Sequence, residues 1–430
     1  MRIRVQNLGP IVDASLDLGR PFVLLTGPNS SGKTWLTTVV ELACRATRTV
    51  ADMKGFQESF ISDEGLVKLE ARWRESLGPL VERELSSALG VPAQMLEGGR
   101  VQLDIAPAPE SLRKTLAIDV EGTEGGVDYG PPPDGRGVRL SFQRSAGGEE
   151  TALDALDSEV WRDVAIALFS GHPAKRRTAS FPAERFPVTL FGKELLLHRA
   201  EARLAEGEGD VWPQYPLSVD SALREHQGVR SLRSRRGHFA EHADTLEAGL
   251  LPGRLGVGDD DVWFRPEGVS QTMPVQSAAS SIKSLAAFVL YLRNRAHPGD
   301  LVLLDEPEQN LHPRNQRRFV RHLVALTNAG LRFIVSTHSD FVVRELNNLL
   351  MLSDPDLSIR ACAARLGIAP EMTLRPDTLQ AYKLEDGRLV ALEVTPTGFD
   401  AGAIDDEIEA MNRETQTIFA AVARREEPAA

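Results

Sequence analysis

Eight consecutive residues, GPNSSGKT from Gly27 to Thr34, have the types and spacing of a loop that cradles phosphate. Gly27 and Gly32 admit backbone conformations that turn successive N–H groups inward as an anion nest, and Pro28, Asn29, Ser30 and Ser31 complete the loop. A helix starting at Lys33 adds its N-terminal dipole. The Lys33 ammonium would reach the β- and γ-phosphates of ATP, and the Thr34 hydroxyl would ligate Mg²⁺. Two further segments complete a hydrolytic set. In LVLLDEP, Leu301–Pro307, four apolar residues end in two carboxylates. Asp305 would hold Mg²⁺ through its water shell, and Glu306 would polarise the attacking water. In RFIVSTHSD, Arg332–Asp340, His338 ends a third apolar run and would act on or sense the γ-phosphate.

These groups need a sheet to hold them. PFVLLT, which starts at Pro21, is continuously apolar and predicts a strand buried on both faces, followed after the loop by the helix WLTTVVELACR. From Ser277 the chain alternates helix, strand, helix, strand, which implies parallel strands with right-handed crossovers. Their carboxyl ends are where an open α/β sheet binds ligands. The opening residues predict a hairpin, Arg2–Val5 against Val12–Leu18, and Leu255–Phe264 predicts another. Between Thr49 and Ser170 the texture is mostly helical, as in Leu153–Leu168. It is interrupted by EGTEGGVDYGPPPDGRG, where no regular element is expected to persist. Beyond Pro355 the pattern predicts short strands in LQAYKLEDGRLVALEV and an amphipathic helix with Ile404, Ile408, Met411 and Ile418 near one face, before a fraying REEPAA tail.

Taken together, GPNSSGKT, LVLLDEPEQNLHP and STHSD resemble the Walker A, Walker B, D-loop and switch-histidine motifs of ABC-type ATPase heads. More closely, they resemble the SMC-like and OLD-like AAA ATPases of prokaryotes, as does the opening RVQNLGPIVDASLDL. The resemblance implies an α/β P-loop NTPase with an N-terminal lobe over 1–48, a mostly helical insertion over 49–180, the rest of the head over 181–350 and a small α/β extension over 351–430. It further implies a head-to-head dimer that sandwiches two ATP molecules. Each signature turn would then cap the partner's γ-phosphate. The matching stretch is AASSIKSL, Ala278–Leu285, where Ser280 and Ser281 stand in place of the family's two glycines. Arg185, in SFPAERFP, is similar to a PAER stretch of this group and is expected at the nucleotide, at the partner subunit or on the surface. Stand-alone heads of this kind resemble ATPase components of antiphage defence systems, in which the ATPase scaffolds a separate effector protein.

Composition narrows the remaining choices. Across 430 residues, 61 acids outnumber 49 bases for a net charge of −12, which argues against a uniform nucleic-acid-binding coat. Basic residues nevertheless gather at Lys175, Arg176 and Arg177 and at Arg230, Arg233, Arg235 and Arg236. The second reading is therefore a DNA-maintenance ATPase that clamps nucleic acid through Arg233, Arg235 and Arg236. Asp354–Asp356 resembles the paired acids of the TOPRIM nuclease in OLD proteins, but Pro355 reads as a turn and no nuclease is expected. Cys44 and Cys362 cannot form a disulfide framework and fit a reducing interior. No apolar run approaches the roughly 20 residues a bilayer helix needs, and the N-terminus lacks a signal's apolar region, so a soluble, cytoplasmic protein is expected.

Overall fold

The structure, a computed structural model, describes residues 1–49, 78–104, 118–120, 127–130, 139–142, 177–195 apart from 186, 193 and 194, 215–230, 236–258, 262–400 and 410–419. The expectations for Leu153–Leu168, Lys175, Arg176, Arg233, Arg235, Ile404, Ile408 and the REEPAA tail lie outside these residues.

The chain opens with β1 (Arg2–Leu8) and β2 (Ile11–Asp17), an antiparallel hairpin paired from Arg2↔Asp17 to Leu8↔Ile11. β3 (Phe22–Thr26) is buried along its length and leads through the glycine loop into α1 (Lys33–Thr49). A helix follows over 78–89, then β4 (Arg100–Asp104), β5 (Ile118–Val120), β6 (Val127–Gly130), β7 (Arg139–Phe142) and β8 (Thr178–Phe181). The Gly/Pro-rich passage does hold a regular element, contrary to the local signal. VDYG forms β6 and pairs antiparallel with β7, so cross-strand bonding outweighs a weak intrinsic preference.

Next come α2 (Leu217–Arg230), α3 (Ala240–Leu250), β9 (Gly253–Val257), β10 (Val262–Pro266), β11 (Met273–Pro274) and α4 (Ser280–Asn294). β12 (Leu301–Asp305), α5 (Pro313–Asn328), β13 (Arg332–Thr337) and α6 (Asp340–Met351) give the expected alternation. α7 (Leu357–Arg365), β14 (Leu379–Glu385), β15 (Arg388–Leu392) and a helix over 410–419 follow. On that last helix Met411 and Ile418 are exposed.

Nine strands make one sheet in the order β4-β1-β2-β15-β14-β3-β13-β12-β8. From β14 to β8 every neighbouring pair is parallel, and β4, β1 and β2 form an antiparallel flank. β14 and β15, from the stretch read as an extension, join these two halves. Alternate residues of the parallel strands enter different cores, as a sheet covered on both faces requires. Phe22, Leu24, Val302, Leu304, Phe333 and Val335 pack on the side of α3 to α6. Val23, Leu25, Leu303 and Ile334 pack on the side of α1. The fold is α/β and is that of a P-loop NTPase. Among the described residues, no helix is long and apolar enough to cross a membrane.

Candidate active site

The glycine loop turns at the carboxyl end of β3 because two residues accept backbone angles that other side chains resist. Gly27 lies at φ 145° and Gly32 at φ 107°. A Cβ on Gly27 would fall 2.2 Å from the Leu384 carbonyl oxygen of β14, and one on Gly32 would fall 2.9 Å from Ile11 Cγ1. Both glycines are therefore needed for packing as well as for turning. Lys33 is buried, and its Nζ donates to the carbonyls of Gly27 at 2.9 Å and Pro28 at 2.8 Å. Burial lowers the Lys33 pKa, opposed by the charges of Asp305, Glu306 and Glu308. A cavity of about 450 Å³ opens here, lined by Asn29, Ser30, Lys33 and Thr34 of the loop, by Pro10 and Trp35, and by Glu306.

β13 lies between β3 and β12, so one crossover brings the histidine strand between loop and acids. Thr34 Oγ1 donates to Asp305 Oδ2 at 2.9 Å, and the Ser336 hydroxyl donates to Asp305 Oδ1. Burial pushes the Asp305 carboxyl up to about 6, the Thr34 hydrogen bond opposing and the Glu306 charge reinforcing the rise. Glu306 sits in the left-handed region at φ 46°, rare for a residue with a long side chain. His338 Nδ1 lies 3.3 Å from Glu306 Oε1 and 3.6 Å from Glu308 Oε1. Gln309 Nε2 donates to Glu306 Oε2 at 3.2 Å. Lys33, Thr34, Asp305, Glu306 and His338 thus meet at one edge of the sheet.

Ser280 and Ser281 stand at the N-terminus of α4 and are not part of the cavity lining. Arg185 is neither a surface residue nor part of the cavity lining. It is 3% exposed and bonds the backbone carbonyls of Asp305 and Glu306 from behind. Arg236, the member of the second basic cluster whose side chain is described, bonds Asp244 Oδ2 at 3.0 Å. In the Asp354–Asp356 turn, Asp356 caps α7 by accepting from Ser358 N at 2.7 Å, and Asp354 accepts from Asp356 N at 2.9 Å. The segment is the turn that Pro355 predicts, and it caps α7.

Sequence reasoning missed Glu308, Trp35, Ser336 and Thr337. Glu308 Oε1 accepts from the Thr337 hydroxyl at 2.7 Å and from His338 N at 3.1 Å, tying the acid turn to the histidine strand. A second acid two residues after Glu306 was the available signal. Trp35 could have been noticed as a large ring directly after the loop's threonine. Nothing in the sequence marks Ser336 or Thr337, whose roles depend on strand order.

Residues 166–344 match a family described as "AAA domain, putative AbiEii toxin, Type IV TA system". No curated protein matches the chain. Among solved structures, an SMC head bound to the C-winged helix domain of ScpA is 13% identical at a TM-score of 0.37, covering 91% of this chain and 98% of that one. An SMC head domain from Thermotoga maritima is 12% identical at 0.31, covering 92% and 98%. An SMC head with an extended coiled coil, bound to the C-terminal domain of ScpA from Pyrococcus furiosus, is 12% identical at 0.32, covering 96% and 98%.

Proposed function

We propose that the chain is an ATP-hydrolysing switch of the cytoplasm. In this reading it is an ABC-type head of the SMC-like and OLD-like group that dimerises on ATP and scaffolds a separate effector protein in antiphage defence. The observation that carries the ATPase reading is the meeting of loop and acid turn: Glu306 lines the cavity with the loop, and Thr34 bonds Asp305 across 271 residues of sequence. The cavity is within the size range of small-ligand clefts, about 300–1,000 Å³. The buried Ser31 hydroxyl has no hydrogen-bond partner among the described residues, and a phosphate oxygen would satisfy it. Lys33 holds two loop carbonyls and keeps a third N–H for phosphate.

Thr34 and Asp305 would hold Mg²⁺, which when bound neutralises charge on the β- and γ-phosphates. Lys33 would hold the same phosphates from the loop. Glu306 accepts the proton of the attacking water as that water adds to the γ-phosphorus and ADP leaves. His338 and Gln309, one on each carboxylate oxygen, keep Glu306 aimed. In a dimer, Ser280 and Ser281 would approach the partner's nucleotide from the start of α4. The defence role rests on the sequence resemblance and on the AbiEii-type match over residues 166–344. The pairing of Arg236 with Asp244 lends direct nucleic-acid clamping no support.

Lys33→Ala should remove ATP binding. Glu306→Gln should cut turnover by about 10²–10⁴-fold, retain ATP and lengthen the life of the dimer. Phosphate release and light scattering read these outcomes, and ordinary turnover by Glu306→Gln would overturn the base assignment.

A further inference from the structure

Arg185 stands at the start of the helical segment that follows the edge strand β8 and a short turn. Burial lowers its pKa to about 10, against the opposing charges of Glu308, Asp305 and Glu306. A guanidinium buried near three carboxylates would ordinarily fork onto one of them. This one does not. Its Nη1 donates to the carbonyls of Asp305 at 2.5 Å and Pro182 at 3.1 Å. Its Nη2 donates to the Glu306 carbonyl at 2.9 Å, and its Nε to the Ser284 carbonyl of α4 at 3.3 Å. The planar fork therefore spans two successive carbonyls of the acid turn and takes up none of the carboxylates, of which Glu306 lines the cavity.

The backbone it holds is the unusual one. Glu306 is a non-glycine residue at φ 46°, a conformation that persists only when its surroundings over-determine it. Its N–H donates to the Ser336 carbonyl of β13 at 3.0 Å, and its C=O accepts from Arg185. Both polar groups of that residue are thus held, the N–H by the sheet and the C=O by the arginine together with the Gln309 N–H at 3.1 Å. The same guanidinium reaches α4, whose Ser284 hydroxyl accepts from Asn310 Nδ2 at 3.0 Å just beyond the acid turn.

We propose that Arg185 is a positioning residue for hydrolysis: by clamping the carbonyls of Asp305 and Glu306, it fixes the left-handed backbone that presents the Glu306 carboxylate to the attacking water. This rests on the ATPase reading above. Arg185 does not line the cavity and acts only through the acid turn.

The test is a double-mutant cycle in the full-length chain. Arg185→Lys keeps a buried cation but replaces the planar fork, whose three nitrogens reach four carbonyls, with a single point donor. It should lower kcat by about 10–100-fold, the range for a misaimed catalytic group. Its thermal midpoint and its affinity for a fluorescent ATP analogue should stay near those of the unaltered chain. In a Glu306→Gln background, Arg185→Lys should cost nothing further in single-turnover hydrolysis, because the group it aims is gone. Arg185→Met, which keeps the bulk and removes every donor, should behave as Arg185→Lys or worse wherever it folds. Unaltered kcat in Arg185→Lys, or an equal loss in both backgrounds, would overturn the positioning role while leaving the ATPase reading standing. Absence of turnover in the unaltered chain would overturn both.

Discussion

Helix α5 begins just after one buried acidic centre and runs alongside another, and the two are built on opposite plans. Glu345 of α6 is fully buried, with Arg317 Nε at 2.6 Å from one carboxylate oxygen and Arg321 Nε at 2.5 Å from the other. Glu247 of α3 is served likewise, by Leu255 N at 2.6 Å and Arg293 Nη2 at 2.9 Å. In the acid turn, Asp305, Glu306 and Glu308 share one buried arginine, whose four hydrogen bonds go to carbonyls. Glu308 Oε2 is buried with no partner among the described residues. Acids that hold helices together are neutralised on the spot. Those of the acid turn have hydroxyls, amides and His338 beside their carboxylates but no arginine among the described residues, and so keep negative charge for a metal-bound triphosphate.

The comparison can be broken most forcefully at the paired centre. Replacing both Arg317 and Arg321 by leucine leaves Glu345 buried and unmatched. Urea unfolding should show a loss of about 3–5 kcal/mol, with turnover per folded molecule unchanged. A loss below about 1 kcal/mol would mean that water reaches Glu345 and that the two centres differ less than their geometry implies.

A smaller effect comes from His322, on the same helix, packed near His242 of α3 and flanked by Arg318 and Arg321. Burial first, then those neighbouring cations, lower its pKa from 6.5 to about 4. Below pH 6.5 the unfolded chain gains a proton there that the folded chain refuses. Stability present above that pH should therefore fall by about 2–3 kcal/mol as pH drops toward 4. His322→Gln should flatten that acid limb in urea titrations; an unchanged limb would assign it elsewhere.

The smallest effect should have the opposite sign. Because the folded Asp305 carboxyl is raised to about 6, the fold disfavours its ionised form at neutral pH. Asp305→Asn should raise the ligand-free unfolding free energy by about 1–2 kcal/mol, and the midpoint with it, while removing Mg²⁺-dependent turnover. An unchanged or lower midpoint would show the acid turn to be as well balanced as Glu345.

These contrasts also explain what could be read in advance. The glycine loop is legible because its chemistry is written in eight adjacent residues, and the strands ending at Asp305 and near His338 are legible because buried parallel strands are continuously apolar. Arg185 was misread because a sequence shows a guanidinium but not what faces it; its partners lie about a hundred residues away in α4 and the acid turn. Glu308 is visible as an acid, yet its bonds to Thr337 and His338 exist only once β12 and β13 are neighbours. The same applies to β14 and β15. Alternation predicts two strands there, but nothing local says that they lie between β2 and β3.

That last placement bears on how the protein is made. The antiparallel flank and the loop-bearing strands are synthesised early, but only β14 and β15 stitch them into one sheet. No nascent chain shorter than about 390 residues can close the sheet, and the Leu384 carbonyl that packs against Gly27 is itself a late arrival. The phosphate loop therefore acquires its final support only after β14 has been synthesised. Such long-range pairing is slow and leaves strand edges open in the meantime, so this chain should depend on chaperones more than its ordinary composition suggests.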